Sequence, residues 1–181
     1  MGCLKKSVCF TAIFTLSILL YSPAYPSDIP LTFHGDYARS GHTLDVFKTR
    51  FNEAKQSKKI ILTFWGDYAA SDGTVEQFMA RINQIRSEKN NLIGTDWGTY
   101  AGSNTTIQEF VKKLNEIHAS KLGYPDIYGN YAASKKDLAT FIKRLDEIKG
   151  RDKSLMPLFG DYAQSNYTLE EFLKRLTEIK K

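Results

Sequence analysis

One short phrase returns five times along the chain and constrains everything around it: Gly35-Asp36-Tyr37-Ala38, Gly66-Asp67-Tyr68-Ala69, Gly98-Thr99-Tyr100-Ala101, Gly129-Asn130-Tyr131-Ala132 and Gly160-Asp161-Tyr162-Ala163. The glycines stand 31, 32, 31 and 31 residues apart. Self-similarity at a fixed period of this length defines a repeat architecture, in which a unit buries its apolar side only against its neighbours. The chain divides into five units, about residues 30–59, 60–91, 92–122, 123–153 and 154–181, within a single repeat domain over residues 25–181.

Each unit reads as three parts. An apolar approach to the glycine comes first, richest in Ile60-Ile61-Leu62-Thr63-Phe64-Trp65, whose β-branched and aromatic content predicts a strand of four to six residues. Pro125 and Pro157 weaken that reading in units four and five. The repeated phrase follows as a tight loop, with a serine three residues after each tyrosine: Ser40, Ser71, Ser103, Ser134 and Ser165. The third part carries the strongest signal. Thr43, Thr74, Thr106, Asp137 and Thr168 are N-cap residues, and Thr74–Gln77, Thr106–Glu109 and Thr168–Glu171 have capping-box spacing. Leu169, Phe172, Leu173, Leu176 and Ile179 then recur at helical spacing, as do Val75, Phe78, Met79, Ile82 and Ile85, predicting helices of about 13–15 residues with one buried stripe.

Strand, loop and helix in tandem predict an α/β repeat: parallel strands, right-handed crossovers, and a curved single-layer β/α solenoid. The alternative is an α-rich solenoid in which the approach is an extended loop and the Tyr-Ala-x-Ser stretch forms a short first helix. Solenoids carry polar capping units at their ends, and neither end unit looks like one. Either the array closes at five units, or the ends pair with another chain; self-association through the end units is the expectation carried forward.

The first 24 residues read as a secretory signal peptide. Lys5 and Lys6 precede a 14-residue apolar run, Val8 to Tyr21, too short for a comfortable span of ~20 residues, and Ser22-Pro23-Ala24 offers small residues at a cleavage site. The expected location is therefore secreted, periplasmic or extracellular, with no membrane span after cleavage. Both cysteines, Cys3 and Cys9, fall in the leader, so the mature chain has no disulfide, no thiol nucleophile and no cysteine metal site. Losing Lys5 and Lys6 leaves a net charge of +3, too diffuse an excess to point to nucleic acid.

The candidate site is the loop edge. The residue before each glycine carries a ring: His34, Trp65, Trp97, Tyr128 and Phe159. Beside these stand Asp36, Asp67, Asn130 and Asp161, with Thr99 at the same position of unit three. Aromatic faces next to carboxyl and amide acceptors suit a polysaccharide or a protein surface, so the first functional reading is an exported, non-enzymatic repeat protein that binds a ligand there. The repeated tyrosines read as core between units. A second reading makes the protein a small glycan-cleaving hydrolase with a pair of the loop aspartates as acid and base; a third makes it a self-assembling envelope protein. No zinc, EF-hand, nucleophile-elbow or phosphate-loop spacing is present, so no metal and no cofactor are expected. Arg50, Arg81, Lys113, Arg144 and Arg175, each three residues after a helix phenylalanine, read as a solvated face. Asn104 and Asn166 match glycosylation acceptors, but the threonine of each also serves as a helix cap.

Overall fold

The protein is described here by a computed structural model covering residues 29–94 and 96–181. The expected leader, with Cys3 and Cys9, lies outside the described residues. Each unit holds two helices, a short one on the repeated phrase and a long one after it. The short helices are α1 (His34–Arg39), α3 (Trp65–Ala69), α5 (Trp97–Gly102), α7 (Tyr128–Ala133) and α9 (Phe159–Gln164). The long ones are α2 (Leu44–Ser57), α4 (Val75–Arg86), α6 (Ile107–Ala119), α8 (Leu138–Arg151) and α10 (Leu169–Glu178). There is no strand among the described residues, so the α/β solenoid expected from the sequence is overturned in favour of an α-rich fold. The apolar approach is a 3₁₀ turn in four units: Leu31–Phe33, Leu62–Phe64, Pro125–Ile127 and Lys153–Leu158. The physical reason is the missing partner. Ile60 is buried, but Ile61, Leu62 and Thr63 are exposed in succession, which no half-buried strand would allow, and strand propensity is a preference for a pleated surface this chain does not build. A 3₁₀ turn also accepts proline at its start, as at Pro125.

The phrase predicted as a loop is therefore a helix of five or six residues. Its serine ends it: the hydroxyls of Ser40, Ser71, Ser103, Ser134 and Ser165 donate to the carbonyl of the tyrosine three residues earlier at 2.7–2.8 Å. The long helices start at the expected caps, where Thr43, Thr74, Thr106, Asp137 and Thr168 each accept the backbone N–H three residues on. The reciprocal box forms at Thr74–Gln77 and Thr168–Glu171; at Thr106 the bond from the Glu109 N–H is the one formed.

Each long helix packs on the short helix of the following unit, α2 on α3, α4 on α5, α6 on α7 and α8 on α9, and α10 packs on α1. The short helices also touch in succession, α1–α3–α5–α7–α9, with α9 returning to α1. The array is thus a closed ring of five units rather than an open arc. The seam uses the same bonds as the other junctions. Tyr68, Tyr100, Tyr131 and Tyr162 are wholly buried and donate their hydroxyls to Glu53, Gln84, Glu116 and Glu147 of the preceding long helix; Tyr37 reaches across the seam to Glu178 at 2.6 Å. Every tyrosine meets the phenylalanine of its own long helix edge to face, with ring centres 5.2–5.5 Å apart. Closure seats the first and last units on each other, so the faces through which end-to-end association was expected are already covered.

The cations three residues after those phenylalanines are not a solvated face. Arg50, Arg81, Lys113, Arg144 and Arg175 lie over the tyrosine ring of the next unit at 4.1–4.7 Å. They also donate to the carbonyls of Gly73, Thr105, Lys136, Tyr167 and His42, just before the next helix cap. Each cation therefore ties one unit to the backbone of its neighbour, donating to the last carbonyl before the next long-helix cap.

Candidate functional site

The ring gathers what the sequence spaces apart. Asp36, Asp67 and Asp161, on three different short helices, meet around one guanidinium, that of Arg39. Arg39 Nη2 lies 2.6 Å from Asp36 Oδ1 and 2.8 Å from Asp67 Oδ1, and its Nε lies 3.2 Å from Asp161 Oδ1. The four side chains are only 10–19% exposed. Asn130 joins the cluster through Nδ2, which donates to Gln164 Oε1 at 2.9 Å and to Asp161 Oδ1 at 3.4 Å. The repeated glycine makes this convergence possible. A Cβ on Gly35 would overlap the Asp161 carboxylate, and one on Gly66 would overlap that of Asp36. Each acidic side chain thus lies against the bare backbone of the next short helix.

Three carboxylates share one cation in a nearly dry setting, and their proton affinity rises accordingly. Burial, with repulsion from neighbouring carboxylates, pushes Asp67 and Asp161 up to about 7 against the pull of Arg39. Burial also raises Asp36, although Arg39 opposes it. Burial alone would lower Arg39, but the three carboxylates more than offset this and hold it firmly charged. In unit three, where Thr99 replaces the aspartate, Asp96 from the preceding turn fills the matching space against Gly129. Burial and then the Asp126 charge push Asp96 up to about 7. No group of three histidine, cysteine or acidic side chains among the described residues is arranged to hold a metal ion.

The ring-bearing candidates take a different place. They open the short helices and fold back on the approach segment. His34 Nε2 donates to the Ile29 carbonyl at 3.1 Å, Trp65 Nε1 to that of Ile60 at 3.0 Å, and the Tyr128 hydroxyl to that of Leu122 at 2.7 Å. His34 and Phe159 are buried, and Trp65, Trp97 and Tyr128 are half-buried. Burial lowers the affinity of His34 for a proton. Among these rings, Trp97 shares a cleft with a loop carboxylate: with Ile61, Thr63, Phe64 and Gly94 it lines a hollow of about 450 Å³ that reaches Asp67.

That hollow opens on a face the sequence reading did not single out. Leu31, Leu62 and Met156 occupy one repeat position in the 3₁₀ segments and are 72%, 55% and 60% exposed. Ile61 and Tyr124 share the position before it and are also exposed. Successive segments adjoin: Leu31 and Thr32 face Ser154, Leu155 and Leu158 across the seam in a cleft of about 330 Å³, and α5 and α9 touch the turns at Leu62–Phe64 and Pro125–Ile127. The apolar side chains therefore form an interrupted rim on one face. A basic position accompanies it. Lys55, Arg86, His118, Lys149 and Lys180 each follow the last buried residue of the long-helix stripe. Lys180 lines the seam cleft, Lys149 Nζ lies 4.4 Å over the Tyr124 ring, and Arg86 lies 5.5 Å over that of Trp97.

Sequence reasoning missed Arg39, Asp96 and this rim. Arg39 was detectable as the exception at its repeat position, where the other units carry Ala70, Gly102, Ala133 and Gln164; Asp96 was detectable likewise, against Phe33, Phe64, Ile127 and Leu158. No protein-family model, curated protein or solved structure matches the chain.

Proposed function

We propose that this chain is a non-catalytic, exported binding module, a rigid helical ring that presents the 3₁₀ face to a partner surface. The observation that carries the reading is the distribution of exposed large apolar side chains among the described residues: Leu31, Ile61, Leu62, Tyr124 and Met156 fall on the 3₁₀ segments or directly before them, with Val46 on α2 the one that does not. Apolar side chains gathered on one face at equivalent repeat positions mark an interaction site, whereas scattered ones need no explanation. The half-buried rings support the face rather than act as free stacking platforms, since Trp65 and Tyr128 spend their polar atoms on their own approach segments. That favours an apolar partner surface over a sugar chain. The hydrolase reading draws less support, because the loop aspartates are committed to Arg39 and to one another.

The test is binding of an environment-sensitive apolar dye, anilinonaphthalene sulfonate, to the full chain and to its Leu31→Ser/Leu62→Ser/Met156→Ser variant. The variant is expected to lose most of the dye emission and to keep the melting temperature of the parent. Equal emission from the two proteins at equal stability would remove the reading.

A further inference from the structure

We infer that the partner of the 3₁₀ face is an anionic membrane surface, on which the ring lies flat. This rests on the proposed binding role of that face. Two independent features converge on it. The exposed apolar rim supplies side chains of the kind that enter the boundary between headgroups and acyl chains: Leu31, Ile61, Leu62, Tyr124 and Met156. Beside them stands the recurring basic position, with Arg86, Lys149 and Lys180 packed against the 3₁₀ segments and the short-helix starts of this face. Lys121 and Lys153 add exposed positive charge within three residues of the rim, against Glu88, Asp126 and Asp152 on the same segments. An apolar surface flanked by cations binds an anionic bilayer more strongly than a neutral one.

The fold makes the geometry plain to test, because the two tryptophans of the chain, Trp65 and Trp97, both lie by this face. The full chain is mixed with vesicles of phosphatidylglycerol, or of phosphatidylcholine, carrying brominated acyl chains, and tryptophan emission is followed. Quenching is expected on phosphatidylglycerol and not on phosphatidylcholine, and it should be lost on raising the salt to a level that screens surface charge. The Leu31→Ser/Leu62→Ser/Met156→Ser variant should lose the quenching, and Lys149→Glu/Lys180→Glu should need at least about tenfold more anionic lipid to reach it. Quenching that survives both variants would mean that neither the rim nor its basic neighbours hold the chain to the vesicle, and would overturn the inference. So would equal quenching on both lipids. Absence of quenching on either lipid, with dye binding still dependent on Leu31, Leu62 and Met156, would assign the face to a protein partner and sink the membrane inference alone. Absence of both would sink the binding role as well.

Discussion

Arg39 is one residue in one unit, yet it balances carboxylates contributed by three. Removing it leaves Asp36, Asp67 and Asp161 facing one another without a counter-charge, so Arg39→Gln, the residue type of Gln164 at this position, is expected to cost ~3–5 kcal/mol at pH 8. Urea unfolding measures it, and a loss below ~1 kcal/mol would deny Arg39 its central place. The same cluster sets an unusual pH dependence. Asp67 and Asp161 take up protons near 7 in the ring and near 3.8 in the unfolded chain. Between those values the folded state holds protons that the unfolded state has released. Stability from this source is therefore greatest near pH 4 and falls as pH rises to about 7. The melting temperature is expected to be higher at pH 5.5 than at pH 8, and Asp67→Asn should raise the value at pH 8 and flatten the profile. A parent profile that climbs from pH 5.5 to 8 would contradict the cluster as described. Of this site the sequence showed the three aspartates as equivalents, because the repeat aligned them. It could not show that equivalent positions on a ring point at a common centre, nor that an exception to the repeat would occupy it.

At the scale of the element, the long helices were legible and the approach segments were not. Caps and a 3.6-residue stripe are local signals, readable wherever they occur, and Phe47, Phe78, Phe110, Phe141 and Phe172 are buried as the stripe requires. Whether Ile60–Trp65 makes a strand depends on a partner elsewhere in the chain, and none exists among the described residues. The short helix escaped for a related reason. Six residues form no stable helix alone; this one is held by the serine at its end, the buried tyrosine, and the cation arriving from the preceding unit. Phe141→Ala should cost ~3–5 kcal/mol, since it empties a wholly buried position in the apolar cluster around Tyr131, Leu145, Ile148 and Tyr162. Arg144→Ala should cost more than Arg144→Lys, because Lys113 reaches the carbonyl of Lys136, the counterpart of Tyr167, with an ammonium in unit three. Chemical denaturation of the three variants orders them, and equal losses for the two Arg144 variants would remove the carbonyl contacts from the explanation.

The whole molecule is defined by its seam. Tyr37–Glu178, Arg175 on the Tyr37 and His42 carbonyls, and Tyr167 on the Ser40 carbonyl reproduce or extend the bonds found at internal junctions. Ile29 and Ile179 are buried in one cluster. The backbone break between first and last units is thus a chemical accident on an otherwise continuous structure. A circular permutant that joins residue 181 to residue 29 by a short flexible linker and opens the chain between Asn90 and Asn91 is expected to fold with the parent's helical circular dichroism and cooperative melting. Two separate transitions, or loss of helix, would show that the seam is weaker than the junctions it imitates. Closure carries a consequence for resistance to proteolysis. An open stack of modules sheds its outermost copy first, and a protease needs only that loosened copy to begin. A wheel offers no outermost copy: any spoke that comes free must break contacts on both flanks, so damage waits on a rare rupture of the whole rather than on gradual unravelling from a tip.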